Sequence, residues 1–211
     1  MSKHFKTTKL LGMDSETSGL AFAGNVDLTN PDPSKDINNN KQYMAISWGF
    51  VVVDVQSQQI IDELYVEVKF DDVKYDWEYA AEKTHGLTKE HLNKHGLTRE
   101  DAAVTIVEFI LKHWNINEAI STIGHNHVSF DLWFLRELLC EFNIMLKFAN
   151  RHYDTNYLTL GIYDVEGSEE LFRLFNEVRD KHNALDDIKQ TVNTFFETKR
   201  LFDIILRKTD D

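Results

Sequence analysis

The hydrophobic period of this chain changes part-way along it, and that change constrains its fold more than any other feature. Up to residue 70 the apolar residues keep strand spacing, and beyond residue 98 they keep helical spacing. Leu10-Leu11-Gly12-Met13 is a short apolar run ending at Asp14, and residues 45–55 are rich in β-branched and aromatic side chains. Within 61–70, Leu64, Val66, Val68 and Phe70 alternate with Glu63, Tyr65, Glu67 and Lys69, the pattern of a half-buried strand. These three segments predict a β-meander. Thr98 followed three positions later by Asp101 marks a helix start. Ala103, Ile106, Val107, Ile110, Leu111 and Trp114 then fall on one apolar face. Residues 119–123 predict a fourth strand, and Leu132, Leu135, Leu138, Leu139 and Phe142 a second helix. A last long helix is predicted over 182–206, with Ile188, Val192, Phe195, Phe202 and Ile205 inward. Strands first, then helix and strand in alternation, imply an α/β fold: a mixed sheet flanked by helices.

The 211 residues suit one domain, 1–211, large enough to bury a core without staples. The single Cys140 excludes an internal disulfide and a cysteine-ligated zinc site, which fits a reducing compartment. No signal-like apolar region opens the chain, and no apolar run approaches the ~18 residues that span a bilayer. The expectation is a soluble cytoplasmic protein with no membrane partner. One composition shift interrupts the domain: residues 21–42 hold both prolines, Pro31 and Pro33, among Asn, Asp and Ser. This reads as a long loop insertion. The net charge of −12 argues against a protein that grips long duplexes by neutralising many phosphates. It leaves room for an enzyme whose metal ions supply positive field at a few phosphates.

Residues that carry chemistry cluster in three places. Asp14 and Glu16 sit at i and i+2 of a strand, so both carboxylates face one side. Held together they repel unless a cation lies between them, which makes them ligands for a hard divalent metal. Thr17-Ser18-Gly19-Leu20 follows, a flexible turn that a substrate backbone can approach closely. Asp131 falls in the first turn of a helix, after Gly124-His125-Asn126-His127-Val128-Ser129-Phe130. Taken alone, it is an ordinary acid at a helix N-terminus. The third place is His182-Asn183-Ala184-Leu185-Asp186-Asp187. Asp186, at i+4, lies nearer the helical face of His182; Asp187, at i+5, needs a bend or helix start between them. Spacing does not choose.

In order and context these segments resemble the DnaQ-like DEDD exonucleases, histidine subtype, over about residues 9–206. The resemblance rests on Met13 to Leu20, on Gly124-His125-Asn126 with Phe130-Asp131, and on His182 to Asp187. A fourth segment, Glu82-Lys83-Thr84-His85-Gly86-Leu87-Thr88, is similar to that family's His-Gly-Ile-Thr stretch between the sheet and the first helix. The resemblance implies an RNase H-like mixed five-stranded sheet. It implies Asp14, Glu16, Asp131 and Asp187 as ligands of two divalent cations, Mg²⁺ or Mn²⁺, with His182 as general base. The implied reaction removes nucleoside 5′-monophosphates from the 3′ end of nucleic acid, with single-stranded DNA as the expected substrate. Thr17, Leu20, His85, Asn126 and Phe130 are the candidates to line the terminal nucleotide. The 21–42 insertion departs from the pattern, at an edge where it can cover or extend the cleft. Rival readings are an exoribonuclease or oligoribonuclease acting on short RNA, a polymerase-associated proofreading exonuclease, and a catalytically inactive binding module. Clustered carboxylates speak against the last, which has no physical need of them.

Overall fold

The computed structural model of the chain describes residues 7–19, 42–165, 168–175 and 182–208. Strands β1 (Lys9–Thr17), β2 (Ala45–Asp54), β3 (Gln59–Glu67), β4 (Thr122–Gly124) and β5 (Tyr153–Asp154) form one sheet in the order β3-β2-β1-β4-β5. β1–β2 and β2–β3 are antiparallel, the meander read from the sequence; β1–β4 and β4–β5 are parallel. Around the sheet lie α1 (Tyr79–His85), α2 (Lys89–His95), α3 (Arg99–Leu111), α4 (Asp131–Glu141), α5 (Asn156–Leu158), α6 (Ser168–Leu174) and α7 (Ala184–Lys208). A π-helical turn, Thr159–Tyr163, follows α5. The architecture is the expected α/β sandwich of helices on a mixed five-stranded sheet.

Both faces of the sheet are covered, so its central strands carry apolar residues at consecutive positions. On one face Leu11 and Met13 of β1 and Ile46, Trp48, Phe50 and Val52 of β2 meet Ala102, Ile106 and Ile110 of α3 and Leu132 and Leu135 of α4. On the other, Leu10, Val51, Val53 and Ile123 meet Ile188, Val192 and Phe196 of α7. Alternation along β1 therefore assigns its odd-numbered residues to the α3–α4 side and its even-numbered residues to the α7 side.

Several boundaries differ from expectation, each for a local reason. β1 runs on through Thr17, past the apolar run that ends at Asp14, so one strand carries both Asp14 and Glu16 as their i, i+2 spacing predicts. Thr98 caps α3 as expected, accepting the N–H of Asp101. The stretch from Glu82 to Thr88 holds the junction of two seven-residue helices, too short to show an apolar period. His85 ends α1, Gly86 takes the left-handed conformation (φ 75°) that stops it, and Thr88 caps α2 by accepting the N–H of His91. The fourth strand is displaced to 122–124, with Ile120 making only an isolated bridge to Phe148. β5 is two residues long and leaves no periodic signal. In α7, Phe196 is buried in the core and Phe195 packs half-buried against it, while Phe202 is 41% exposed. At ~1.5 Å per residue, the 25-residue helix outruns the apolar patch beneath it. The side chain of Ile205 and residues 20–41, which include all of the 21–42 insertion but Gln42, lie outside the described part. Among the described residues no helix is long and apolar enough to cross a membrane.

Candidate active site

Two glycines let α7 lie close on the sheet. Gly49 is paired with Asp14 across β1–β2, and a Cβ there would stand 2.3 Å from the carbonyl carbon of Ala184. A Cβ at Gly12 would meet Val51 and Ile188 side chains at 2.5 and 2.9 Å. The first turn of α7 is thereby seated directly against β2, beside the two acidic residues of β1. Asn183 fixes where that turn begins: its Oδ1 accepts the N–H of Leu185 (3.1 Å) and of Asp186 (3.2 Å), an N-cap. His182 thus precedes the helix, and helical counting starts at Ala184. Asp187 turns toward the sheet at 3% exposure, while Asp186 stays exposed.

Glu16, His182 and Asp187 converge there. One ligand-type atom of each lies within 4.8 Å of the others, a group able to hold a metal ion. His182 Nδ1 is 3.7 Å from Asp187 Oδ2, and its Nε2 is 3.6 Å from Glu169 Oε1 of α6. Asp14 shares the strand face of Glu16, two residues earlier, and is half-buried. Asp131 is not one of this trio. It reaches β1 from the α4 side and accepts a 2.6 Å hydrogen bond from Ser15 Oγ. Two carboxylates on one face and one anchored to the residue between them bracket the carboxyl end of β1.

Asp131 is 3% exposed, and burial pushes its carboxyl up to about 7. Hydrogen bonds from Ser15 and from backbone N–H groups pull the other way, and the charge of Asp154 adds to the rise. A carboxyl raised in the folded state contributes stability that is full below its unfolded value and is lost as pH rises through the folded one. In cation-free buffer, the melting temperature of the wild type should therefore fall relative to Asp131→Asn as pH rises from about 4 to about 8. Parallel profiles would show that Asp131 carries no such shift.

The nucleotide-lining candidates separate. Asn126 is exposed, with a left-handed backbone (φ 55°). Phe130 is half-buried, packs against the main core and meets Phe134 edge-on at 5.2 Å. Thr17 is buried and its hydroxyl donates to Gly19 O at 2.8 Å, so it shapes the turn. Gly19 lies against the ring of Tyr43, which a Cβ would meet at 2.2 Å. Leu20 lies outside the described residues. His85 is 6% exposed; its Nδ1 accepts the N–H of Leu87 at 3.0 Å, which leaves the proton on Nε2. That Nε2 has no hydrogen-bond partner among the described residues. Burial holds the ring below the usual histidine range, Glu82 opposing this and His182 reinforcing it. Sequence reasoning missed Ser15, Gly49, Asn183 and Asp154, whose roles depend on partners distant in the chain or on cap geometry.

No protein-family model matches the chain, and no curated protein matches it by sequence. Solved structures do match. E. coli Exonuclease I in complex with a 5cy-dA13 oligonucleotide is 17% identical, with a TM-score of 0.65 over 95% of this chain and 43% of that one. The zinc-bound form of the E. coli ExoI–ssDNA complex is 17% identical, with a TM-score of 0.65 over 96% and 43%. The Exonuclease I structure that suggested how processivity is achieved is 18% identical, with a TM-score of 0.66 over 95% and 44%. The chain thus spans less than half the length of those proteins. In fold, it is an RNase H-like α/β sheet shared with part of Exonuclease I.

Proposed function

We propose that this chain is a metal-dependent 3′→5′ exonuclease of the DEDD type, histidine subtype, acting on single-stranded DNA. The observation that carries this reading is the convergence of Glu16, His182 and Asp187 within 4.8 Å beside Asp14. A fold shared with Exonuclease I, whose structures include complexes with single-stranded oligonucleotides, supports it.

In this reading Asp14, Glu16, Asp131 and Asp187 hold two divalent cations. A donor set dominated by carboxylates suits Mg²⁺ or Mn²⁺. When bound, these ions supply a water of lowered pKa and neutralise charge building on the scissile phosphate. Asp131 would join them ionised, since a bound cation would favour the charged form that burial alone disfavours. His182, at the rim of the cluster with its Nδ1 toward Asp187, accepts the proton of the attacking water. The new P–O bond forms as the bond to the 3′ oxygen breaks, and a nucleoside 5′-monophosphate leaves. His85 offers Nε2–H from a buried, neutral ring, a donor for an oxygen of the terminal nucleotide. Asn126 and Phe130 line that nucleotide from the other side. With a net charge of −12, contacts concentrate at the 3′ end and not along a duplex.

Digestion of 5′-labelled DNA and RNA, single- and double-stranded, tests the substrate, and single-stranded DNA should shorten fastest. Faster loss of short RNA would overturn that choice while keeping the chemistry. His182→Ala should lose the alkaline rise of the single-turnover rate; an unchanged pH profile would remove His182 from its role.

A further inference from the structure

Asn126 is an exposed residue held by buried ones. Its left-handed backbone (φ 55°) is unfavourable for a non-glycine residue, though Asn tolerates it better than most. Something must hold it, and Asp154 does. Asp154 Oδ1 accepts the N–H of Asn126 at 2.8 Å and that of Asn156 at 2.9 Å. Its Oδ2 lies 3.3 Å from Nδ1 of His127, off the line of a full hydrogen bond and so mainly an electrostatic contact. His127 is wholly buried, and its Nε2 meets Thr122 Oγ1 at 2.8 Å; that hydroxyl also meets His152 Nδ1 at 2.6 Å. Gly124 leaves the room, since a Cβ there would stand 2.5 Å from His127 Cβ.

A buried carboxylate costs stability unless its charge is met. Here burial pushes the Asp154 carboxyl up, while His127 and the two N–H groups outweigh that and hold it below the ordinary range. Packing alone does not call for such an arrangement beneath a surface loop. Ser129 completes it by donating its hydroxyl to Asn126 Oδ1 at 2.7 Å. With that oxygen engaged, the Asn126 amide presents its Nδ2–H groups outward. The loop sits beside the cluster, because β4 precedes it and Asp131, bonded to Ser15, ends it.

We propose that Asp154 and His127 are positioning residues that preorganise Asn126 as a hydrogen-bond donor to an oxygen of the bound nucleotide. This rests on the nucleic-acid reading of the site. Asp154 acts through Asn126; its charge also reaches Asp131, which Ser15 holds, and the Asn126→Ala background separates the two effects.

A double-mutant cycle tests it, read as the Kd of a 5′-labelled single-stranded oligonucleotide by fluorescence anisotropy in Ca²⁺. Asp154→Ala should weaken binding about tenfold, the scale of one lost charge-assisted hydrogen bond. Asp154→Asn, which keeps a carbonyl oxygen for the Asn126 N–H, should recover most of that loss. In an Asn126→Ala background, Asp154→Ala should change Kd less than about twofold. Circular dichroism would confirm that each variant is folded. Unchanged binding in Asp154→Ala, or an equal tenfold loss in the Asn126→Ala background, would overturn the proposal. Binding that follows this cycle without hydrolysis in Mg²⁺ would support the positioning role and overturn only the exonuclease reading. A wild type that binds no oligonucleotide would overturn both.

Discussion

Asp187→Asn should lower turnover about 10³-fold or more, because cation-held charge stabilisation is worth several kcal/mol and each 1.4 kcal/mol is a factor of ten. The substitution preserves shape and removes only the charge of the proposed ligand. Asp187 is 3% exposed, 3.7 Å from His182 and gathered with Glu16. Removing one of two facing carboxylates relieves repulsion in the cation-free protein, so the melting temperature should hold or rise. Asp186→Asn is the natural control. It is the same substitution one residue earlier, on an exposed side chain, and should leave turnover near wild type. Equal losses in both would erase the distinction that the Asn183 cap creates.

Gly49→Ala should cost about 100-fold in kcat/KM without touching any ligand, the scale of a 1 Å misplacement in a catalytic site. The added methyl would stand 2.3 Å from the carbonyl carbon and oxygen of Ala184 and 2.4 Å from the N of Leu185. These are backbone atoms, which cannot rotate away, so the first turn of α7 must lift and carry Asp187 with it. Overpacking of this kind typically costs about 1–3 kcal/mol of stability. Gly12→Ala is a graded comparison. Its methyl would meet the side chains of Val51 and Ile188 at 2.5 and 2.9 Å, groups able to shift, so its effect on kcat/KM should be smaller. Thermal melts and steady-state kinetics on both variants check this. Wild-type kinetics in Gly49→Ala would show that the seating of α7 does not set the site.

What could be read in the sequence is what a local period or a short motif encodes. Alternation across 61–70 gave β3, Thr98 with Asp101 gave the start of α3, and the i, i+2 spacing placed Asp14 and Glu16 on one side of a strand. What could not be read depends on distant partners. His182 and Asp187 look out of step until Asn183 is seen to cap the helix between them. Ser15 appears as a spacer between two acids, yet it donates to Asp131, 116 residues away. Asp154 sits in a two-residue strand that no period announces, and its tie to Asn126 crosses 28 positions. The exposure of Phe202 follows from where the apolar patch under α7 ends, which the periodicity of α7 does not record.

The most direct measurement is the fate of a 5′-labelled single-stranded oligonucleotide incubated with the chain in Mg²⁺ or Mn²⁺ and, in parallel, in EDTA. The carboxylate cluster predicts a ladder shortening stepwise from the 3′ end, nucleoside 5′-monophosphates as product, and no change in EDTA. An intact oligonucleotide in both metals, or shortening that persists in EDTA, would contradict it.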